Sequence, residues 1–196
     1  MSTELILAFD TETTGFVKDR LPVDHPEQPH LVQLSALVME PSGKERGYFN
    51  LIVRPNGYTI PAAASNVHGI TTEIALACGV PLPVAVAMFN NVVKLTGTHV
   101  AHNMPFDDKV MGAAYHRVQK NMPVMNKVCT VDLAGPILAI PPTDKMRRAG
   151  FTKYKPPSLA ECAKFFFEED IKGAHDAGVD TRMCARVYLE TIKRAT

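Results

Sequence analysis

An uninterrupted apolar run, Leu5-Ile6-Leu7-Ala8-Phe9, ends directly on Asp10, and Glu12 follows two residues later. Apolar at every position, such a run belongs in a strand buried on both faces. The chain must therefore fold around a sheet whose interior strand delivers acid to its end. Residues two apart in a strand share a face, so Asp10 and Glu12 point one way and Thr11 the other. Carboxylates ending a buried strand suit a site better than a surface, because ligands of open α/β sheets bind at the carboxyl ends of the strands.

The rest of the pattern builds on that strand. "HLVQLSALVME" (30–40) and "GYFNLIVRP" (47–55), parted by the turn "PSGK", predict two more strands and a three-strand meander. Between the first two, "VKDRLPVDHPEQP" is too rich in proline and charge for either element and reads as a surface loop. From Ile60 the periodicity turns helical. "TTEIALACG" has a threonine cap and a final glycine, and "VAVAMFNNVVKLTG" has apolar positions at helical spacing. "THVAH" is a short strand, "PFDDKVMGAAYHRVQK" a helix with proline in its first turn, and "NKVCTV" a further strand. The stretch "DLAGPILAIPPTDKMRRAGFTKYKPPS" is broken by prolines and carries Lys145, Arg147, Arg148, Lys153 and Lys155. A solvated connection is the plainer reading of that charge, a loop beside phosphates the other. "SLAECAKFFFEED" and "AHDAGVDTRMCARVYLETIKR" predict two closing helices, the second amphipathic with a basic last turn.

A length of 196 residues fits one domain, 1–196, large enough for a real core. Hydrophobic residues at 46% and charged residues at 21% exclude a disordered chain. No run approaches the roughly 18 residues of a membrane span, and acids come too early for a secretory signal, so a cytoplasmic protein without a membrane partner is expected. Cys78, Cys129, Cys162 and Cys184 are isolated and read as small hydrophobes rather than as disulfides or a zinc site. With 21 basic against 20 acidic residues, the chain lacks the footprint of a protein that coats nucleic acid. Any grip on nucleic acid is expected to involve few phosphates, with metal ions supplying part of the positive charge.

Three further polar residues complete the candidate set. Asp107 sits at a helix start, where a dipole-favoured acid is the alternative and Asp108 competes for either role. His175 and Asp180 are five apart, about 140° around a continuous helix, and converge only if His175 lies at the helix entrance, which Gly173 and Gly178 permit. His99 and His102 are expected on opposite strand faces, with His102 and Asn103 bonding the loop. Gathered carboxylates repel unless cations neutralise them.

Together the pieces resemble the exonucleases of the DEDD superfamily, histidine subtype (DEDDh), typified by the proofreading subunit of bacterial DNA polymerase III. "FDTETTG" resembles the first motif, "HNMPFD" the second, "AHDAGVD" the third, and "IPAAASNVHGIT" a segment ending in histidine-glycine-isoleucine-threonine. The resemblance implies a ribonuclease-H-like α/β fold, a mixed sheet of about five strands with strand 2 antiparallel, flanked by helices. It implies metal-dependent 3′-5′ hydrolysis of phosphodiester bonds at DNA 3′ ends, releasing nucleoside 5′-monophosphates. Catalytic positions would be Asp10, Glu12, Asp107, His175 and Asp180. Asp10, Glu12 and Asp180 would hold one metal, and Asp10 and Asp107 a second, with Mg2+ or Mn2+ favoured by hard oxygen ligands. His175 would take the proton from the attacking water, as an imidazole of ordinary pKa near 6.5 is able to do. Thr13, Gly15, Val67, His68, Asn103 and Phe106 would meet the terminal nucleotide, Phe106 by stacking. Asp176 stands where the family often has a basic residue, and is expected to lower phosphate affinity or raise the pKa of the adjacent imidazole. A polymerase partner is one expectation of the resemblance, but no tethering tail follows the last helix, which favours a freestanding enzyme. A 3′-5′ exoribonuclease and a catalytically silent nucleic-acid-binding module are the alternatives.

Overall fold

The computed structural model describes residues 4–195. Its five-stranded sheet comprises β1 (Ile6–Thr13), β2 (Leu31–Met39), β3 (Glu45–Ile52), β4 (Thr98–Ala101) and β5 (Lys127–Cys129), in the order β3-β2-β1-β4-β5. β2 runs antiparallel to both neighbours, whereas β1, β4 and β5 are parallel. The sheet is therefore mixed, with strand 2 alone reversed, and flanking helices complete the expected ribonuclease-H-like α/β fold.

The alternation of β1 sorts its side chains between two helical layers. Leu7 and Phe9 enter the larger core, where Phe9 meets Phe89 edge to face at 5.0 Å. Phe89 comes from α3 (Leu82–Leu95), and Met111 and Tyr115 reach the same core from α4 (Met104–Arg117). Ile6 and Ala8 face the other way, packing on Cys184 and Tyr188 of α8 (Ala177–Ala195). Full burial of a large apolar side chain is worth about 1.5–3 kcal/mol, so this two-sided packing fixes the direction of the residues that follow. β2 is buried along its whole length, and β3 forms the exposed edge.

The loop before β2 is a surface loop, as expected, held by one buried glutamine. Gln28 accepts from the Lys18 N–H and donates to the carbonyls of Lys18, Leu21 and Pro22. Short helices α1 (Ala62–His68) and α2 (Thr72–Cys78) pack at the same end of the meander, where Ala64 and Ala75 join Val32 and Ile52. The proline-rich stretch departs from expectation, since it contains α5 (Thr130–Leu138), α6 (Asp144–Arg148) and the approach to α7 (Leu159–Phe167). α5 carries Pro136 inside it and ends on Ala139 at φ 47. Proline costs a helix about 3 kcal/mol in its interior. Here Ala134 of the same helix is fully buried against Cys162 and Val187, and that packing opposes the penalty. Among the described residues, no helix is long and apolar enough to cross a membrane.

Candidate active site

The parallel pairing of β1 with β4 stops at Ala8, opposite Val100, whereas its antiparallel pairing with β2 continues to Thr13. Past Ala8 one side of β1 is therefore open, and its last residues border a gap in the sheet. The alternation set by the core continues into that gap. Asp10 and Glu12 follow Ile6 and Ala8 toward α8, where Asp180 stands one turn before Cys184 and two before Tyr188 on the same helical stripe. The two residues that pack α8 against β1 thus also aim Asp180 at the two strand acids.

Asp107 arrives from the opposite layer. It lies one turn before Met111 on the stripe of α4 that packs on Leu7 and Phe9. Thr11, on that face of β1, donates its hydroxyl to Asp107 Oδ1 at 2.7 Å. Periodicity placed Thr11 on the far side from the acids, which is correct for the strand, yet Asp107 reaches it there. The Thr11 role left no sequence signal, because it depends on where β4 ends.

His175 lies just before α8 at φ 67, and its N–H donates to Asp180 Oδ2 at 3.0 Å. The residue is at the helix entrance, the condition for convergence with Asp180. Glu12, His175 and Asp180 each bring a donor atom within 4.8 Å of the others. Asp180 Oδ1 is buried and has no hydrogen-bond partner among the described residues.

The four carboxyls share one electrostatic problem. Burial, then the charges of Asp107, Asp180 and Glu12, push Asp10 well above the ordinary carboxylate range. Burial and then Asp180 raise Glu12 to about 8. Burial raises Asp107 to about 7 against the opposing bonds from Thr11. Burial also raises Asp180, while the His175 N–H works the other way. No lysine or arginine enters among these causes, and the one side-chain charge that opposes the build-up is that of the His175 imidazole, which lowers Asp180. A hard divalent ion fits this set, since the donors are carboxylate oxygens with one imidazole and an orphaned Asp180 oxygen faces it.

Asp176 has a structural task besides the effects expected of it. Its Oδ1 accepts from the N–H groups of Gly178 and Val179 at 2.9 and 3.2 Å, capping α8. Gln33 donates to its Oδ2 and accepts the Ala177 N–H, and Asn50 donates to Oδ1. The helix that carries Asp180 is thereby pinned to β2 and β3. An N-cap is worth about 1 kcal/mol, whereas deleting Asp176 also removes a like charge from beside Asp10, Glu12 and Asp180. Four direct bonds outweigh that diffuse relief. Asp176→Ala is therefore expected to lower the unfolding temperature by roughly 2–6 °C at about 2–4 °C per kcal/mol, read by calorimetry; an unchanged transition counts against the clamp.

A cleft of about 580 Å³ exposes the group, lined by Asp10, Glu12, Asp107, His175 and Asp180 together with Asn103 and Phe106. Asn103 takes φ 71 at the start of α4, and Phe106 is half-buried, packing on the core while facing the cleft. Thr13, Gly15, Val67 and His68 do not line it. Thr13 donates its hydroxyl to the Gly15 carbonyl, and Val67 stands exposed on α1. His68 has a buried, unpartnered Nε2 and a lowered pKa, through burial first and the nearby His175 last. His102 is structural as expected, bonded to Thr130 Oγ1 at 2.8 Å and the Pro157 carbonyl at 3.1 Å. Phe16, 89% exposed at the cleft, gave no warning in the sequence.

A buried acidic cluster with an imidazole at its rim, at the open end of this sheet, defines a nuclease-like site, and the comparisons agree. The chain belongs to the exonuclease family of the RNase T model, which matches residues 7–188. No curated protein matches it. Among solved structures, E. coli exonuclease I with a dT13 oligonucleotide superposes with a TM-score of 0.75 at 19% identity, over 95% of this chain and 40% of that one. The zinc-ion-bound form of an E. coli exonuclease I complex with single-stranded DNA gives 0.76 at 19% identity, over 98% and 41%. Cell-death related nuclease 4 gives 0.70 at 18% identity, over 97% and 64%. The chain thus spans about two fifths of the exonuclease I chains, and at these identities the likeness is one of fold.

Proposed function

We propose that the chain is a single 3′-5′ exonuclease domain of the histidine subtype, removing nucleoside 5′-monophosphates from DNA 3′ ends. The convergence of Asp10, Glu12, Asp107 and Asp180 on one cleft, with His175 at its rim, carries the reading. Asp10, Glu12 and Asp180 would hold one divalent ion, and Asp10 with Asp107 a second. Bound there, two Mg2+ or Mn2+ ions would stabilise the attacking and leaving oxygens of an in-line displacement. His175, exposed and anchored through its own N–H, accepts the proton of the attacking water. The water oxygen bonds to phosphorus, the bond to the upstream 3′ oxygen breaks, and the terminal nucleotide leaves as its 5′-monophosphate. Phe106 and Asn103 border the terminal nucleotide within the cleft. Thr13 at the end of β1, with Gly15, Val67 and His68, whose Nδ1 accepts the Ile70 N–H, would support it.

Digestion of single strands of equal sequence, DNA and RNA, labelled at either end and supplied with Mg2+, tests the proposal. A 3′ label should appear at once as mononucleotide and a 5′ label as a descending ladder, with DNA cleaved faster. Internal cuts, release from the 5′ end or an intact strand would each overturn the reading, and faster loss of RNA would reassign the substrate.

A further inference from the structure

The tract between α6 and α7 holds residues that the proposed chemistry does not use. From 144 to 155 it has five cations against the one acid Asp144, in a chain of net charge only +1. Two of the five are engaged, Arg147 with Asp144 and Lys155 with Glu161. Lys145, Arg148 and Lys153 have no acidic partner among the described residues. Interleaved with them, Phe151 and Tyr154 are 56% and 53% exposed, which leaves their ring faces open to a ligand.

This tract is shaped rather than slack. Thr143 caps α6 by accepting the Met146 N–H. At the other end Gly150 takes φ 82, its N–H reaching the Arg147 carbonyl while the Phe151 N–H reaches that of Met146. That paired closure is a Schellman motif, and it fixes Phe151 just beyond the helix. The Lys155 N–H is tied to the Ile140 carbonyl, and the Pro157 carbonyl to His102, whose neighbour Asn103 faces the acid cleft. Pro156 and Pro157 themselves line that cleft. Chain reach limits Tyr154 to about 7 Å from Pro156 and Phe151 to about 18 Å.

Exposed rings alternating with unpaired cations, in the tract that leads into the cleft at Pro156 and Pro157, match what a single nucleic-acid strand needs: faces for its bases and charge for its phosphates. We propose that the tract Lys145–Tyr154 is a platform for the single-stranded nucleotides upstream of the 3′ terminus, with Phe151 and Tyr154 stacking bases and Lys145, Arg148 and Lys153 contacting phosphates. It rests on the exonuclease reading above, and makes a single strand of several nucleotides the preferred substrate.

The test compares KM for (dT)3 and (dT)10 in the wild type, in Phe151→Ala/Tyr154→Ala and in Lys145→Ala/Arg148→Ala/Lys153→Ala. The wild type should bind the longer strand more tightly. Each variant should lose about tenfold or more of that advantage, through KM rather than kcat. Removing three phosphate contacts should also lower the slope of log affinity against log salt by about 2. All five side chains are exposed, so unfolding temperatures serve to confirm intact folds. A wild type that cleaves neither strand refutes the exonuclease reading itself. A wild type that cleaves both, with variants keeping the full length advantage, overturns the platform alone. An effect of the charge variant without one of the aromatic variant, or an equal loss on blunt duplex, overturns it too, since either means simple attraction to phosphate.

Discussion

Stripped of divalent ions, the protein should lose stability as the pH rises from 7 to 8, and Mg2+ should restore it. Glu12 is raised to about 8 and Asp107 to about 7, and Asp10 and Asp180 are raised as well. The unfolded chain gives up these protons near pH 4, so between there and pH 8 the native state binds more protons than the unfolded one. Stability from these groups is then complete below about pH 4 and lost as the pH climbs through the native values. His30, lowered to about 4 by burial and then Arg117, and the lowered His68 and His102 act oppositely, costing stability as the pH falls. Above pH 7 these histidines are neutral in the native state and mostly so in the unfolded one, which leaves the acids as the larger effect. Each unshared proton is worth about 1.4 kcal/mol per pH unit. Ion saturating the site at a hundredfold its Kd adds about 2.7 kcal/mol, or roughly 5–10 °C for a chain of 196 residues. Calorimetry in chelator and in Mg2+ should show these changes, and Asp10→Asn should abolish both the Mg2+ response and the exonuclease activity. A flat transition temperature in chelator, or the same Mg2+ shift in the variant, would remove the case for a cation site.

His175→Gly should lower kcat by about 10²–10⁴ while leaving unfolding temperature equal or higher. The backbone makes the choice of glycine informative. His175 sits at φ 67, a region glycine enters without steric cost, so the substitution deletes the imidazole and relieves strain together. Lost activity then has a chemical cause. The Mg2+ shift in unfolding temperature discriminates further: a proton acceptor can be removed with that shift intact, whereas a ligand cannot. Unaltered turnover in this variant would end the proposed role of His175.

The first three strands were legible because their apolar runs are long and their turns marked, whereas the mixed sheet with strand 2 reversed rested on the family resemblance. Asp10 and Glu12 were legible for the same reason, since a period of two says which residues share a face. Asp107 and Asp180 needed more than local pattern. Each lies one turn from a core contact, Met111 or Cys184, so their direction was implicit in which helical stripe is apolar. What could not be read was the point where β4 stops pairing, and hence the Thr11 bond to Asp107. The capping role of Asp176 was hidden because two of its partners, Gln33 and Asn50, lie more than 120 residues away. The helices within the proline-rich stretch were hidden because proline argues against a helix locally, while the packing that favours one involves residues of α7 and α8.

The docking of α8 has an implication for the protein's synthesis. Asp10 and Glu12 lie more than 160 residues before His175 and Asp180, so the ribosome makes them earlier. On the proposed reading, a polypeptide still emerging from the ribosome carries half a blade. Only when α8 seats itself on β1 do the halves meet, so a chain that has not yet made α8 poses no danger to the nucleic acids around it.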